Sequence, residues 1–372
     1  MRFLHIADLH LGKNLLELPL YDEQAKMLET LTDMAVANKA DTVLIAGDIY
    51  QRSAPQAEAM EMLSAFLSGL AERSIKLFVI SGNHDNAQRV SYLASLVRQS
   101  GVYISESFDG KTQKISLSDE YGEIDIHLLP FVRVSAVKLK YPGEKISTCT
   151  EAVQCVLTHS DIDYSKRNVL ISHQFITGGE LSGSEEKTIG TLESVDAEIL
   201  SGFDYVALGH LHKPQKVFRD TIRYAGSPLK YSFSEENDVK SAVLVDVGEK
   251  GDTKVQLLPI PQPKDVRRVE GSISDIMLMP YSEDLVWVSV TDEDVPPDTR
   301  RMITTVFPNM LRFTINNSKT NQTLDVTNTE NVEDLDAESL FKDFYALQNN
   351  SVQPGEKQLA LFRDLFTWEE AK

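Results

Sequence analysis

Apolar positions along this chain switch period at short intervals. Residues 3–7, 43–45, 77–80, 169–172 and 205–208 are compact runs built on Val, Leu, Ile and Phe, and each reads as a buried strand. Between the first three the apolar residues fall at helical spacing. Leu28, Leu31 and Ala35 predict a helix from about 22 to 38, and Met60, Leu63, Leu67 and Leu70 predict one after Ser53 and Gln56, a pair with capping-box spacing. A further helix is expected from Asp85 to about residue 99. Strand and helix in alternation imply crossover connections and a largely buried sheet. From 102 to 130 the pattern turns to strands, clearest at 124–129, and 151–159 reads as helix. Runs at 222–224, 242–247 and 254–260 alternate enough to predict a second sheet. The expected fold class is α/β (α+β), a two-sheet sandwich flanked by helices.

Pro259, Pro261 and Pro263 interrupt this pattern and set a boundary between a first domain, 1–262, and a smaller one, 263–318. Within the smaller one, 266–276, 285–291, 300–307 and 311–315 read strand, strand, helix, strand. Residues 319–334 are rich in Asn and Thr and read as a linker. The tail, 335–372, predicts two amphipathic helices, one lined by Leu340, Phe341, Phe344 and Leu347, the other by Leu359, Phe362, Leu365 and Phe366.

The five central strands end alike. They deliver Asp8 and His10; Asp48 after a glycine; Asn83, His84 and Asp85; His173; and His210 and His212. Strand carboxyl ends are where open α/β sheets gather ligands. One such residue alone reads as a satisfied polar group or a turn cap, but five of the eight histidines fall on these ends. Imidazole nitrogen with carboxylate and amide oxygen suits manganese, iron or zinc, whereas magnesium and calcium favour oxygen almost throughout. Seven candidate ligands (Asp8, His10, Asp48, Asn83, His173, His210 and His212) are too many for one ion with an open position. They serve two ions that share a carboxylate, with Asp48 the candidate bridge. Such a pair suits attack on phosphorus. His84, next to Asn83, is then placed to protonate the leaving oxygen or to stabilise the transition state.

His5 and His127 lie inside strands and are expected to pack or hydrogen-bond there. Cys155 and His159 have i,i+4 spacing, but without further ligands nearby this reads as coincidence. The polar loop at 177–190, directly after His173, is either a plain surface loop or a lid beside the site.

Charge narrows the choice of partner. The net charge is −19, whereas a free nucleic-acid binder is usually basic, so the options are a small substrate, a local basic patch or a partner subunit that grips DNA. Lys213, Lys216, Arg219, Arg223 and Lys230 supply either phosphate contacts or a solvated face. Two cysteines suit a reducing compartment, and no run is long enough to span a membrane, which places the chain in the cytoplasm with no membrane partner.

In chain order the strand ends read DLH, GD, GNHD, H and GHLH. This set resembles that of the calcineurin-like metallophosphoesterases over about residues 1–260. HIADLHLGK, GDIYQRSAP, the SGSE loop and YAGSPLKYSFSE at 224–235 resemble, more closely, the bacterial nuclease subunits that work with the SbcC ATPase in double-strand-break repair. The resemblance implies a two-manganese nuclease that trims double-stranded ends and cuts hairpins or protein-blocked ends under ATP-dependent control. It implies one Mn2+ on Asp8, His10, Asp48 and His212 and a second on Asp48, Asn83, His173 and His210, with His84 beside the scissile phosphate. Residues 263–318 would be the family's capping domain, and 335–372 would hold the coiled-coil base of SbcC. Two nuclease subunits would pair through helices of the first domain, those after Ser53 and after Asp85 being the candidates, within a heterotetramer with two copies of each subunit. One position departs from the family pattern. Gln51 stands where bacterial members carry Asp and archaeal ones His. It cannot ionise, which weakens any metal or proton role there and leaves at most a shift between exonuclease and endonuclease action.

Two other readings stand beside this one. The first is a phosphatase or nucleotidase of the same superfamily acting on a small substrate, against which the tail helices argue. The second is a non-catalytic scaffold, against which the intact ligand set argues.

Overall fold

The computed structural model describes residues 1–92, 94–183, 185, 194–318, 320, 337–348 and 352–369. The expected linker, Thr320 apart, lies outside them, as do residues 184 and 186–190 of the loop and the side chains of Leu340, Leu347, Leu365 and Phe366. The chain divides into two units, Met1–Val266 and Arg267–Lys372.

The first unit is built on two six-stranded sheets. One runs in the spatial order Thr253–Pro259, Ser241–Val247, Arg2–Ile6, Thr42–Ala46, Lys76–Ile80, Val102–Ile104. The other runs Gln215–Val217, Arg219–Tyr224, Tyr205–Leu208, Arg167–Ser172, Gly122–Leu129, Gln113–Asp119. Each has a parallel centre; the second sheet is antiparallel at both edges, and the first only on the side of Ser241–Val247 and Thr253–Pro259, Val102–Ile104 pairing parallel at the other edge. Burial on both faces explains the unbroken apolar runs, as at Thr42–Ala46, where every residue is buried. Phe3, Leu44, Phe78 and Val243 of one sheet share a core with Ile124, Ile126, Val169 and Tyr205 of the other. This is the expected two-layer α/β sandwich.

Register positions the strand ends. Ile6 pairs with Ile45 and Ala46 with Ile80 in the first sheet; Leu129 pairs with Ser172 and Ser172 with Leu208 in the second. The next residues of each strand therefore leave the sandwich at one edge. Inside it, His5 Nδ1 lies 2.8 Å from the Tyr205 hydroxyl and Nε2 3.2 Å from the Leu208 carbonyl. Burial pushes the His5 pKa down to about 3, so this histidine is neutral and structural. His127 is likewise held by Asn168, 2.9 Å away.

Helix Tyr21–Ala37 matches its expected span. The next one differs. It covers Ala57–Glu72, its N-cap is Gln56, and Ser53 plays no part. Pro55 is the reason, since it disfavours helical geometry at Ala54 and a helix capped by Ser53 cannot form. Its phase is shifted too: Ala59, Leu63, Phe66 and Leu70 are buried, while Met60 is 52% exposed. Full burial of each large apolar side chain there contributes roughly 2 kcal/mol. The helix expected to reach residue 99 is two short ones, Ala87–Val90 and Ala94–Val97, then a 3-10 turn at Arg98–Ser100. Val and Ser in this stretch are weak helix formers. Cys149–His159 forms with a capping box from Thr148 and Glu151, and it covers the outer face of the second sheet.

In the second unit, strands Val266–Gly271, Leu285–Val290 and Met310–Ile315 form one sheet. Val288 and its neighbours pack under two short helices, Ile273–Met277 and Thr299–Ile303. The first strand ends sooner than its apolar pattern implied, because Ser272 caps a helix by accepting from the Asp275 N–H. On the sheet, Arg268 and Arg312 stack on Trp287 at 4.7 and 4.1 Å. The tail forms helices Ala337–Gln348 and Glu356–Glu369. Phe341 and Phe362 stack with centroids 4.4 Å apart, and Arg363 forms two bonds to Glu338, 2.7 and 2.8 Å long. Phe344 is left 58% exposed. Among the described residues no helix is long and apolar enough to cross a membrane.

Candidate metal centre

At the common edge the backbone is forced into unusual shapes. Asp8, His10, Asp48 and His210 all have positive φ, at 54°, 45°, 48° and 107°. Non-glycine residues rarely adopt such angles, and they cluster where structure is bent to a function. The strand ends also approach closely. A Cβ at Gly82 would lie 2.1 Å from Asp48 Oδ1, and one at Gly209 would lie 1.9 Å from the Ala46 carbonyl oxygen. Asp85 ties two of the loops together, accepting N–H bonds from Ile49, Tyr50 and Gly82 at 3.1, 2.9 and 2.9 Å.

All eight side chains singled out from the sequence meet here. Donor atoms of Asp8, His10 and His212 lie within 4.8 Å of one another, as do those of His10, Asp48 and His84, and those of Asp48, His173 and His210. His10 and Asp48 each belong to two of these groups. His10 Nε2 is 3.0 Å from His212 Nε2 and 3.7 Å from Asp48 Oδ2. His173 Nε2 is 3.3 Å from Asp48 Oδ2 and 3.1 Å from Asn83 Oδ1, which is 2.9 Å from His210 Nδ1. The His210 N–H donates to both oxygens of Asp8, at 3.0 and 3.1 Å.

This arrangement fits divalent cations. Two imidazole nitrogens 3.0 Å apart can share only one proton, and the oxygens around them are acceptors. Lone pairs converge in a buried place with few hydrogens to meet them. The donor set is nitrogen and oxygen without thiolate, which suits manganese, iron or zinc.

Electrostatics agree. Burial pushes the Asp8 carboxyl up to about 7, against the pull of His173 and His212. Burial also acts to raise Asp48, but His173, His10 and His84 outweigh it and hold that carboxyl well below the usual range. His173 is opposed by burial yet raised to about 9 by Asp48. Burial keeps His10 well below 6.5 and takes His210 to about 4. Among the described residues, Asp48 and His173 thus form an ion pair within the centre. A ligated imidazole must be neutral, so a dication bound here would take the place of that proton.

His84 is held differently. Its N–H donates to Asp48 Oδ1 at 3.0 Å, and its Nδ1 lies 3.2 Å from the Gln51 carbonyl oxygen. With Nδ1 engaged, Nε2 is left for the cleft, 3.9 Å from Asp48 Oδ2. Lys13 and Glu185 line the same cleft as His10, Asp48, Asn83 and His84. Neither was marked by the strand-end pattern. Lys13 Nζ lies 3.1 Å from Gln51 Oε1 and 5.5 Å from the Tyr231 ring centroid, so Gln51 anchors a lysine instead of offering a ligand. Gln24 donates to the His10 carbonyl at 2.8 Å, and the Tyr231 hydroxyl donates to that of Leu9. Tyr231 and Glu235 fall in the YAGSPLKYSFSE stretch, the one sequence signal that could have flagged them.

Other expectations resolve more simply. Cys155 Sγ and His159 Nδ1 are 3.7 Å apart, and no third ligand joins them among the described residues. The basic residues after GHLH are engaged within the chain: Lys213 by Glu180, Lys216 and Arg223 by Asp220, Arg219 by the Phe203 carbonyl, Lys230 by Asp265. Each of the five thus has a partner within the chain, Lys213 and Lys216 while staying exposed to solvent. Glu185 accepts the His212 N–H at 3.0 Å, so the loop after His173 touches the centre at that residue.

The chain is similar to known proteins along most of its length. The calcineurin-like phosphoesterase model matches residues 1–214, and a model described as the type 5 capsule protein repressor C-terminal domain matches 262–349. The SbcD subunit of nuclease SbcCD from Staphylococcus saprophyticus is 30% identical over 358 residues, covering 93% of this chain and 92% of its own length. Its namesake in Staphylococcus epidermidis is 35% identical over 281 residues, 74% of each chain. The match runs through both units, and the chain belongs to the calcineurin-like phosphoesterases, within the family of SbcD nuclease subunits.

Proposed function

We propose that this chain is a metal-dependent DNA nuclease subunit, cleaving phosphodiester bonds at double-strand ends and hairpins in company with an SbcC ATPase. The observation that carries this reading is the convergence of seven ligand side chains and His84 at one buried strand edge. The near full-length match to a relative named as a nuclease subunit supports the choice of substrate.

Asp8, His10, Asp48 and His212 would hold one Mn2+, and Asp48, Asn83, His173 and His210 the other, with Asp48 shared. When bound, such a pair acidifies a water and neutralises charge on the phosphoryl oxygens during in-line displacement. The chain does the rest. His84, with Nδ1 directed to the Gln51 carbonyl, carries or donates a proton at Nε2 towards the leaving oxygen. Lys13 places a fixed positive charge in the cleft for a phosphate oxygen. Residues 263–318 act as a capping domain, and the tail helices beyond the 319–334 linker hold the coiled-coil base of SbcC. Two copies of each subunit assemble in the cytoplasm, where the nuclease subunits also contact each other. At −19 net charge, with the five basic residues above already paired, the DNA grip comes chiefly from the partner.

The purified chain with Mn2+ is expected to cleave linear duplex and hairpin DNA, and to hydrolyse a nitrophenyl phosphate monoester poorly. Rapid monoester hydrolysis with DNA left intact would instead make it a small-substrate phosphatase. Deleting the tail from residue 333 onward should abolish capture of SbcC and leave manganese-dependent cleavage by the isolated chain. Loss of metal binding in that truncation would refute a purely partner-binding tail.

A further inference from the structure

The histidines of the centre are backed in three different ways. His173 Nδ1 lies 2.7 Å from a neutral acceptor, the Ala46 carbonyl. His10 Nδ1 is buried with no hydrogen-bond partner among the described residues. His212 Nδ1 faces a carboxylate, Glu235 Oε1, at 3.4 Å.

Glu235 is built in with some care. Its second oxygen is 2.5 Å from Lys240 Nζ and accepts from the Ser227 hydroxyl and the Tyr231 N–H, each at 3.4 Å. Lys240 also donates to the His212 carbonyl at 2.9 Å and to Ser227 Oγ at 3.1 Å. Both charged side chains are fully buried. A buried ion pair is no better for stability than a well-packed apolar pair, so stability alone does not account for it. Because Lys240, Ser227 and Tyr231 occupy Oε2, Oε1 is left for His212. An imidazole beside a carboxylate carries its proton on the near nitrogen. That leaves Nε2 bare, aimed at the point where His10 Nε2 also aims.

We infer that Glu235, clamped by Lys240, is a positioning residue that fixes the tautomer of His212 and makes the cation position at His10 and His212 bind more tightly than it otherwise would. The inference rests on the two-ion reading above. A carboxylate partner raises the basicity of a ligating imidazole, and removing one weakens metal affinity by about 10- to 100-fold. The position at His173 and His210 has no such backing from Glu235, so the effect falls on one ion of the pair.

The test is Mn2+ titration of the metal-stripped full chain by electron paramagnetic resonance and calorimetry, with melting in chelator as a check on folding. Wild type should bind two ions and show a coupled-pair spectrum. Glu235→Gln should keep one ion at wild-type affinity and weaken the other by about 10- to 100-fold, with the coupled signal lost at intermediate Mn2+. Glu235→Gln combined with Lys240→Met removes the buried ammonium, which in the single variant keeps only the longer pair with Asp238, 3.5 Å away. It should recover melting temperature in chelator while keeping the single-ion defect. Two ions bound normally by Glu235→Gln, or full recovery of both in the double variant, would overturn the inference and leave the metal centre standing. Wild type that never binds a second ion would overturn both.

Discussion

The parallel strands of the two sheets bear buried polar groups at both ends, and the ends treat charge in opposite ways. At the amino end Arg167 donates to both oxygens of Asp119, at 2.6 and 3.1 Å, and to the carbonyls of Gly122 and Gly248, at 2.7 and 3.0 Å. Guanidinium protons meet oxygens and the charges cancel in place. At the carboxyl end, just past the same strand, His173 joins a set in which acceptors outnumber protons. Among the described residues, backbone N–H groups reach Asp8 and Asp48, and His173 forms an ion pair with Asp48. The amino end even has the roomier surface hollow, lined by Tyr121, Lys166, Arg167 and Lys250, so size is a poor guide to the active place. A buried polar cluster that closes on itself is architecture; one left short of positive charge is waiting for a ligand.

Breaking each end in turn should separate the two. The largest effect is expected from Asp48→Asn, which tolerates the left-handed backbone but halves the shared donor. DNA cleavage should fall by at least about 10³-fold, with loss of an Mn2+ ion on titration. His84→Ala should lower turnover by about 10²-fold while both ions still bind; near-normal cleavage would remove His84 from the mechanism. At the other end, Arg167→Met should cost about 3 kcal/mol of stability, read as a lower melting temperature, with Mn2+ affinity unchanged. Burial acts to raise the Asp119 carboxyl, but Arg167 first, then the Met1 amino group and the Tyr121 N–H, outweigh it and hold the group well below the usual range. Its stabilisation is therefore complete above the unfolded value of about 3.9 and fades as pH falls below it. Arg167→Met should lose Arg167's share of that part of the acid transition, Met1 retaining the rest. The smallest effect comes from metal alone: Mn2+ at a hundred times its Kd should stabilise wild type by about 2.7 kcal/mol per site. Arg167→Met should keep that increment and Asp48→Asn should lose much of it. The same increment in both variants would erase the distinction between the ends.

The carboxyl end was legible in the sequence because strand ends are short, local patterns. An apolar run closing on Asp, Asn or His announces itself in ten residues, and five such runs gave the sandwich its likeness before any register was known. What stayed hidden depends on other parts of the chain. Phe66 displaces Met60 from the helix stripe because tertiary packing sets the phase of Ala57–Glu72. Pro55 did speak locally against a cap at Ser53 and is the more instructive miss. Glu235 closes the YAGSPLKYSFSE stretch and Lys240 lies beyond it, but both are more than twenty residues from His212, and no spacing rule says that the turn through Phe233–Glu235 brings that carboxylate behind the imidazole.

The left-handed backbone at Asp8, His10, Asp48 and His210 bears on how tolerance maps of this family should be read. In a saturation library, alanine at those positions removes a donor and also strains the main chain, by roughly 1–2 kcal/mol in such geometry. Asparagine and glycine escape much of the second penalty. Enrichment of small polar residues there would thus report chain geometry as well as chemistry, and a scan scored by alanine alone would overstate the catalytic share of each side chain.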